Sequence, residues 1–246
     1  MAFSIKVAIG GRNSHSLNQG LVPSSICSQD KGFSPSNLIS ISLGLVTRQV
    51  AEVLATGLTI GVENTLTKKL AEEFLSTVPS MDMVRFTNTG SEAVLHALHI
   101  ARFATGKEKI AKSEGSYHGW VDETFVNVFH DISKAGSLDN IITVPSTAGL
   151  HKNAIDDICV FPFNDTTRTK KVIEENSENL AAVILEPIMI DIGFVPAKKE
   201  YLENIREMCS DLNILLIYDE VLTSFRVAPG GAQEFYTITP DLGIYG

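Results

Sequence analysis

Two nearly continuous apolar runs, Ala181–Leu185 and Ile214–Tyr218, most constrain the fold of this 246-residue chain. Neither run alternates apolar with polar residues, as a strand with one face in water would, so both predict strands that are covered on both faces. Shorter runs rich in β-branched or apolar residues predict four further strands, at Met83–Phe86, Lys109–Lys112, Ile141–Val144 and Ile158–Phe161.

Helical patterns lie between several of these predicted strands. Apolar residues at three- and four-residue spacing predict a helix over Tyr201–Leu212. Glu92–Thr105 predicts a second helix that ends at Gly106, and Leu66–Leu75 predicts a third. Strand–helix–strand alternation predicts an α/β fold, a mostly parallel sheet with helices on both faces, in which ligands bind at the carboxyl ends of the strands.

The first 40 residues differ from the rest, because they are rich in Ser, Gly and Asn and show no sustained period. We therefore predict an irregular arm over residues 1–40 and one large α/β domain over residues 41–246. No charged segment followed by a sustained apolar run opens the sequence, so we expect no signal peptide. Nor does any apolar run approach the roughly 20 residues that span a bilayer.

Charge and cysteine content exclude several functional classes. The 20 Lys and Arg residues and 29 Asp and Glu residues give a net charge of −9, which argues against a nucleic-acid partner or an anionic membrane. Cys27, Cys159 and Cys209 are too few and too scattered for a disulfide framework or a zinc site. We expect no metal site, reduced thiols and a cytoplasmic location.

The first candidate functional segment, Thr87–Ala93, joins a predicted strand to a predicted helix. A turn of small residues that opens a helix exposes backbone N–H groups at its positive end, which is a geometry that binds phosphate. Ser91 and Thr89 could add hydroxyl donors. The alternative is ordinary helix capping by Ser or Thr, with Glu92 in the first turn.

A second candidate is Asp219, which ends the most apolar predicted strand. A buried carboxylate is costly unless a cationic or protonated group meets it, and the protonated ring nitrogen of pyridoxal phosphate is one such group. A buried ion pair with an arginine and an N-cap of the following helix are the alternatives.

A third candidate, Glu114–Trp120, follows another predicted strand. Gly115 and Gly119 allow a sharp turn, Tyr117 or Trp120 could stack on a flat ring, and His118 could supply a donor or be structural. A fourth is Glu186, which lies at a strand end before a proline.

Taken together, these segments resemble the class III (subgroup II) aminotransferases, which use pyridoxal phosphate, and most of all the glutamate-1-semialdehyde 2,1-aminomutases among them. The resemblance covers roughly residues 50–246. The stretches that carry it are 83–93, 114–119, 182–187, 215–221, 224–235 and 239–242.

The resemblance implies the large domain of a fold type I pyridoxal-phosphate enzyme, an amino-group transferase or aminomutase that acts on small molecules as a cytoplasmic homodimer. It assigns the cofactor phosphate to Gly90 and Ser91, the two faces of the ring to Tyr117 and Val221, and the pyridine nitrogen to Asp219. His118 would lie beside Tyr117. Asp191 would lie near the ring oxygen, where the aminomutases have asparagine.

Two further departures bear on activity. The substrate-binding arginine of the aminomutases would fall near Leu17, which cannot bind a carboxylate. The Schiff-base lysine would follow Gly246, so the resemblance implies no catalytic residue within these 246 residues and a missing C-terminal small domain. We therefore expect an incomplete or inactive form; the alternative is a non-catalytic dimerisation or regulatory partner of a full-length homologue.

Overall fold

A computed structural model of the chain describes residues 7–11, 35–55, 65–78 and 80–246. The helices in these ranges are α1 (Pro35–Ala55), α2 (Thr65–Thr77), α3 (Gly90–Thr105), α4 (Lys152–Asp156), α5 (Thr166–Asn176), α6 (Lys199–Asp211) and α7 (Ala232–Tyr236). The strands are β1 (Val7–Gly11), β2 (Met83–Thr87), β3 (Lys109–Ser113), β4 (Gly136–Ser137), β5 (Asn140–Ile141), β6 (Ile158–Phe161), β7 (Leu180–Leu185), β8 (Ile188–Met189), β9 (Val195–Pro196), β10 (Leu215–Glu220) and β11 (Leu242–Tyr245).

The chain divides into two compact units. One comprises Ser14–Glu73, and the other comprises Met1–Asn13 with Phe74–Gly246, which contains every strand named above. Within the first 40 residues, expected to be irregular, β1 is a strand and α1 begins at Pro35. The predicted domain division at residue 40 stays a prediction.

Seven parallel strands form the main sheet, in the order β2-β1-β11-β10-β7-β3-β6. This confirms the predicted α/β fold and parallel sheet. The predicted strand at Ile141–Val144 is wrong beyond Ile141, because only Asn140–Ile141 pairs, with β4, in a separate antiparallel ribbon. Ile142 is exposed, and the Val144 N–H donates to the side chain of Asn127 rather than to a neighbouring strand.

Both faces of the main sheet are covered by helices, as the apolar runs predict. α3 packs Ala93, Ala97 and Leu98 on one face, and α5 and α6 cover the other. All six residues of β7 are fully buried. In the part of the chain that the structure describes, no helix combines the length and apolar character that crossing a membrane requires.

Candidate functional site

The candidate segments gather at one edge of the sheet, because parallel strands end together there. β2 ends at Thr87 before the turn into α3, and β3 ends at Ser113 before the 114–120 loop. β7 ends one residue before Glu186, and β10 ends on Asp219 and Glu220. Four segments that are far apart in sequence thus meet at one edge.

The N-terminus of α3 is capped by Thr89, which has extended backbone angles (φ −141°, ψ 158°). Its Oγ1 accepts the N–H of Glu92 at 3.1 Å, and the Glu92 carboxylate accepts the N–H of Asn88 at 2.7 Å. Capping therefore accounts for Thr89 and Glu92. It leaves the N–H groups of Gly90 and Ser91 in the first helical turn, where a helix supplies no acceptor of its own.

Ser91 joins the start of α3 to the 114–120 loop. Its Oγ accepts the N–H of Trp120 at 3.0 Å, which leaves the hydroxyl hydrogen free to point elsewhere. Gly119 has φ +78°, and a Cβ there would overlap Ser91 Oγ and lie 2.9 Å from Ser91 Cα. A Cβ on Gly90 would lie 3.4 Å from a methyl of Val221, so Gly90 and Val221 are also neighbours.

His118 and Asp219 form a buried pair, with 2.7 Å between His118 Nδ1 and Asp219 Oδ2. The other carboxylate oxygen of Asp219 accepts the N–H of Val221 at 3.1 Å. Burial lowers the pKa of His118; Asp219 opposes that shift, and the nearby charge of Lys112 assists it. The neutral imidazole is therefore favoured, and because Asp219 accepts, its hydrogen is on Nδ1. Among the described residues, His118 Nε2 is a buried nitrogen without a partner.

No lysine or arginine in the described ranges forms an ion pair with Asp219. Among the described residues, this excludes a buried ion pair between Asp219 and an arginine, which was one of the alternatives for Asp219. The helix cap is supplied by Glu220 instead, whose carboxylate accepts the N–H groups of Ala232 and Gln233 at the start of α7. Asp219 is thus a buried carboxylate whose side-chain partner is an imidazole that favours the neutral form.

Glu186 binds two backbone N–H groups, one of which lies in the 114–120 loop. Its carboxylate accepts the N–H of Tyr117 at 3.0 Å and that of Ile190 at 3.4 Å. Burial raises the pKa of Glu186, and the charges of Asp219 and Asp191 add to the rise. Sequence reasoning noted Glu186 at a strand end without a role, and the structure shows that it orients Tyr117.

The partly exposed ring of Tyr117 packs edge-on against Phe125, with 6.1 Å between ring centroids. Burial raises the pKa of Tyr117, and the charges of Asp191 and Asp219 raise it further. Asp191 itself is exposed, in the turn after β8, and is near enough to act electrostatically on both Tyr117 and Glu186.

Lys112 is the residue of this region to which sequence reasoning gave no role. It is fully buried on β3, although lysine rarely is. The available signal was its position as the last residue of the predicted strand Lys109–Lys112, because a strand covered on both faces leaves no water around a charge. In the described part of the chain, no cluster of three or more His, Cys, Asp and Glu side chains could hold a metal ion.

Several known proteins share this sequence and fold. The chain is 41% identical over 201 residues to a glutamate-1-semialdehyde 2,1-aminomutase of Alkaliphilus oremlandii, covering 82% of this chain and 46% of that protein. An omega-transaminase from Sphaerobacter thermophilus is 36% identical with a TM-score of 0.77, covering 82% of this chain and 45% of the other. A solved transaminase with PLP bound is 31% identical with a TM-score of 0.74, covering 81% and 45%.

The chain therefore spans about half the length of the relatives it matches. The family model for class-III aminotransferases matches residues 24–246, which is most of the chain and includes all four segments at the sheet edge. Fold, site and sequence similarity lead to one conclusion: the chain belongs to the class-III aminotransferase family.

Proposed function

We propose that this chain is the cofactor-binding part of a pyridoxal-phosphate-dependent enzyme that transfers or moves an amino group. The observation that carries the proposal is Asp219, a buried carboxylate held by His118 next to the N-terminus of α3, with no lysine or arginine partner among the described residues. A buried carboxylate in that setting is suited to a protonated ring nitrogen, which would supply the missing positive charge.

The residues present fit the cofactor at each of its parts. The first-turn N–H groups of α3 at Gly90 and Ser91, with the Ser91 hydroxyl, would hold the phosphate. Asp219 would pair with the pyridine nitrogen. Tyr117 and Val221 would lie against the two faces of the ring, and Asp191 near its oxygen.

Pyridoxal phosphate, when bound, provides an electron sink for the negative charge that develops on an amino substrate. Asp219 would keep the ring nitrogen protonated, which maintains that sink. His118 would donate its Nδ1–H to Asp219, fixing the orientation of the carboxylate and leaving it negatively charged. Ser91 would donate its hydroxyl hydrogen to the phosphate while it accepts from Trp120.

The substrates proposed are small amino donors and acceptors, in a reaction like that of the glutamate-1-semialdehyde 2,1-aminomutases or the related transaminases. Support comes from the 41% identity to the A. oremlandii aminomutase and from the 36% identity to the omega-transaminase. Because the chain spans about half of each relative, the activity of a whole enzyme is part of this proposal.

We also propose a cytoplasmic homodimer. Exposed large apolar side chains support a partner surface, among them Trp120 (71% exposed), Phe129 (76%) and Ile132 (80%). Cys159 and Cys209 are free thiols, which suits a reducing compartment.

Titration of the 246-residue protein with pyridoxal phosphate tests the cofactor assignment. We expect a change in the visible spectrum of the cofactor, and at least tenfold weaker binding for Asp219→Asn, since asparagine keeps the size of the side chain but not its charge. Asp211→Asn, at an exposed position on α6, is the matched control and should bind like the parent.

Borohydride treatment should leave the cofactor removable by dialysis, because Lys112, the lysine nearest this strand edge, has its Nζ engaged by two carbonyl groups. No spectral change at millimolar cofactor, or equal binding by Asp219→Asn and the parent, would contradict the proposal.

A further inference from the structure

Lys112 is a buried, ionisable side chain that the proposed cofactor contacts do not use. It lies near the end of β3, opposite Val160 of β6 and Ile184 of β7, and its side chain is fully buried. A buried lysine is costly unless its ammonium is hydrogen-bonded and balanced by negative charge. Packing alone would be served better by an apolar side chain of the same length, so the cation requires another explanation.

Its Nζ donates to two main-chain carbonyl groups, Ser116 O at 2.8 Å and Val126 O at 2.6 Å. These acceptors lie near the two ends of the 114–126 loop. The N–H of Gly115 also joins the two ends of the loop, because it donates to the carbonyl of Asn127 at 2.9 Å. One side chain thus ties both ends of the loop to the sheet.

The loop that Lys112 holds carries Tyr117, which is assigned to the cofactor ring, and His118, which binds Asp219. Ser116, whose carbonyl Lys112 binds, directly precedes Tyr117 and His118. The next residue, Tyr117, is held from the other side by Glu186, since its N–H donates to that carboxylate. The peptide group between Ser116 and Tyr117 is therefore fixed at its oxygen by Lys112 of β3 and at its N–H by Glu186 after β7.

The charges around Lys112 match this arrangement. Burial lowers the pKa of Lys112 to about 7, and the nearby Glu186 and Glu114 oppose that shift and favour the ammonium form. The charge of Lys112 in turn lowers the pKa of His118. Lys112 therefore acts on His118 both through the backbone and through its electrostatic field.

We propose that Lys112 is a positioning residue, whose bonds to Ser116 O and Val126 O fix the loop that presents Tyr117 and His118 to the cofactor. The inference rests on the proposed function for the identity of the cofactor. The fixing of the loop can be measured without any cofactor, so the two proposals fail separately.

Amide hydrogen–deuterium exchange of the cofactor-free 246-residue protein is the first test, on Lys112→Met and the parent. Methionine keeps the apolar stem but removes the ammonium. We expect exchange in 114–126 to become at least tenfold faster, with unchanged exchange in β7 as the internal reference for global stability. Lys109→Met is the matched control, since Lys109 lies on the same strand and donates to Asn176 instead. Unchanged exchange in 114–126 would overturn the proposal.

Titration of the His118 imidazole by NMR separates positioning from simple structural support. Removing the cation should raise the pKa of His118 in Lys112→Met and leave it unchanged in Lys109→Met. With pyridoxal phosphate added, Lys112→Met should bind this cofactor about tenfold more weakly than the Lys109→Met control.

An unshifted His118 titration together with parental affinity for the cofactor would refute a positioning role. A parent protein that fails to bind the cofactor contradicts the proposed function but leaves the exchange result decisive for Lys112.

If Lys112→Met does not fold, amine acetylation of the native parent followed by mass spectrometry is the remaining test, because an ammonium held by both carbonyls has to stay inaccessible to the reagent. Lys112 should stay unmodified while Lys170, which is more than half exposed, is modified rapidly. Equal rates at the two lysines would show that the ammonium is not held by the two carbonyls, and would overturn the proposal.

Discussion

Two neighbouring carboxylates at the end of β10 have different roles, because successive residues of a strand face opposite sides of the sheet. Asp219 meets His118, whereas Glu220 accepts the N–H groups at the start of α7. For Asp219 the sequence left open a site role, a buried ion pair with an arginine and an N-cap of the following helix. The cap falls on the adjacent Glu220, while the site role of Asp219 stays a proposal; the sequence could not separate the two residues, because it does not give the orientation of each side chain.

Gly119 is the residue whose replacement should most directly disturb the proposed phosphate site. Its φ of +78° is costly for any other residue, and a Cβ would collide with Ser91. We expect Gly119→Ala to lower the free energy of unfolding by about 1–3 kcal/mol and to weaken cofactor binding. Urea unfolding and the spectral titration measure the two effects.

Gly149→Ala provides the control for that substitution, because a Cβ at Gly149 has no heavy atom within 4 Å and its φ is not in the left-handed region. It should change neither stability nor affinity appreciably. Should Gly119→Ala behave like Gly149→Ala, the close approach of the loop to Ser91 would be irrelevant to phosphate binding.

At the level of elements, Glu220 fixes α7 and the segment that leads to it. Its carboxylate accepts from the Thr223 hydroxyl at 3.1 Å and from two N–H groups at the start of the helix. Burial raises the pKa of Glu220 from the usual 4.5 to about 7, although these hydrogen bonds oppose the shift. The folded protein therefore retains a proton that the unfolded chain releases.

The resulting pH dependence can be predicted with its sign. Below about pH 4.5 Glu220 is protonated in both states, and its contribution to stability is fully present; it is lost as the pH rises through about 7. We expect the free energy of unfolding of the parent to fall between pH 5 and pH 8 by up to roughly 3 kcal/mol more than that of Glu220→Gln.

Urea unfolding at several pH values measures this difference, and Glu207→Gln, at an exposed position on α6, is the control with a parental slope. Parallel pH profiles for the parent and Glu220→Gln would show that the buried carboxyl does not titrate in this range.

Elements with a strong apolar pattern could be predicted, and elements without one could not. β7 and β10 were predicted from their apolar runs, and α6 from its spacing, each to within two residues. α5 was missed because only Thr169 and Ile173 of its residues are buried, which leaves little apolar periodicity. β11 was missed because four residues containing a glycine, Leu242–Tyr245, are too short to show a pattern.

Considered as a whole molecule, the parallel sheet and the gathering of four segments at its edge followed from the sequence. The order of the strands did not, because pairing between residues far apart in the chain leaves no local signal. Lys112 is the clearest case at the site: its two acceptors are backbone carbonyls, and nothing in the types of the residues around it marks them as partners.

Self-association is the prediction that belongs to the whole molecule. If Trp120, Phe129 and Ile132 contact a second copy, the protein should elute as a dimer in size-exclusion chromatography with light scattering. Replacing Phe129 and Ile132 together by serine should shift it toward the monomer, whereas Lys170→Ser, at an exposed polar position on α5, should not. A monomer at micromolar concentrations would contradict the proposed homodimer.

The position of β1 has a consequence for how the sheet is made. β1 lies between β2 and β11, so Val7 pairs with Leu242 on one side and with Met83 on the other. Almost the whole chain separates Val7 from Leu242. Bringing such distant segments together has a high entropic cost, which is offset only after the contacts between them have formed. During synthesis on the ribosome, β1 and β10 can be joined through β11 only after β11 has emerged. We therefore expect this part of the sheet to form last and slowly, with the facing edges of β1 and β10 open to chaperones until it does.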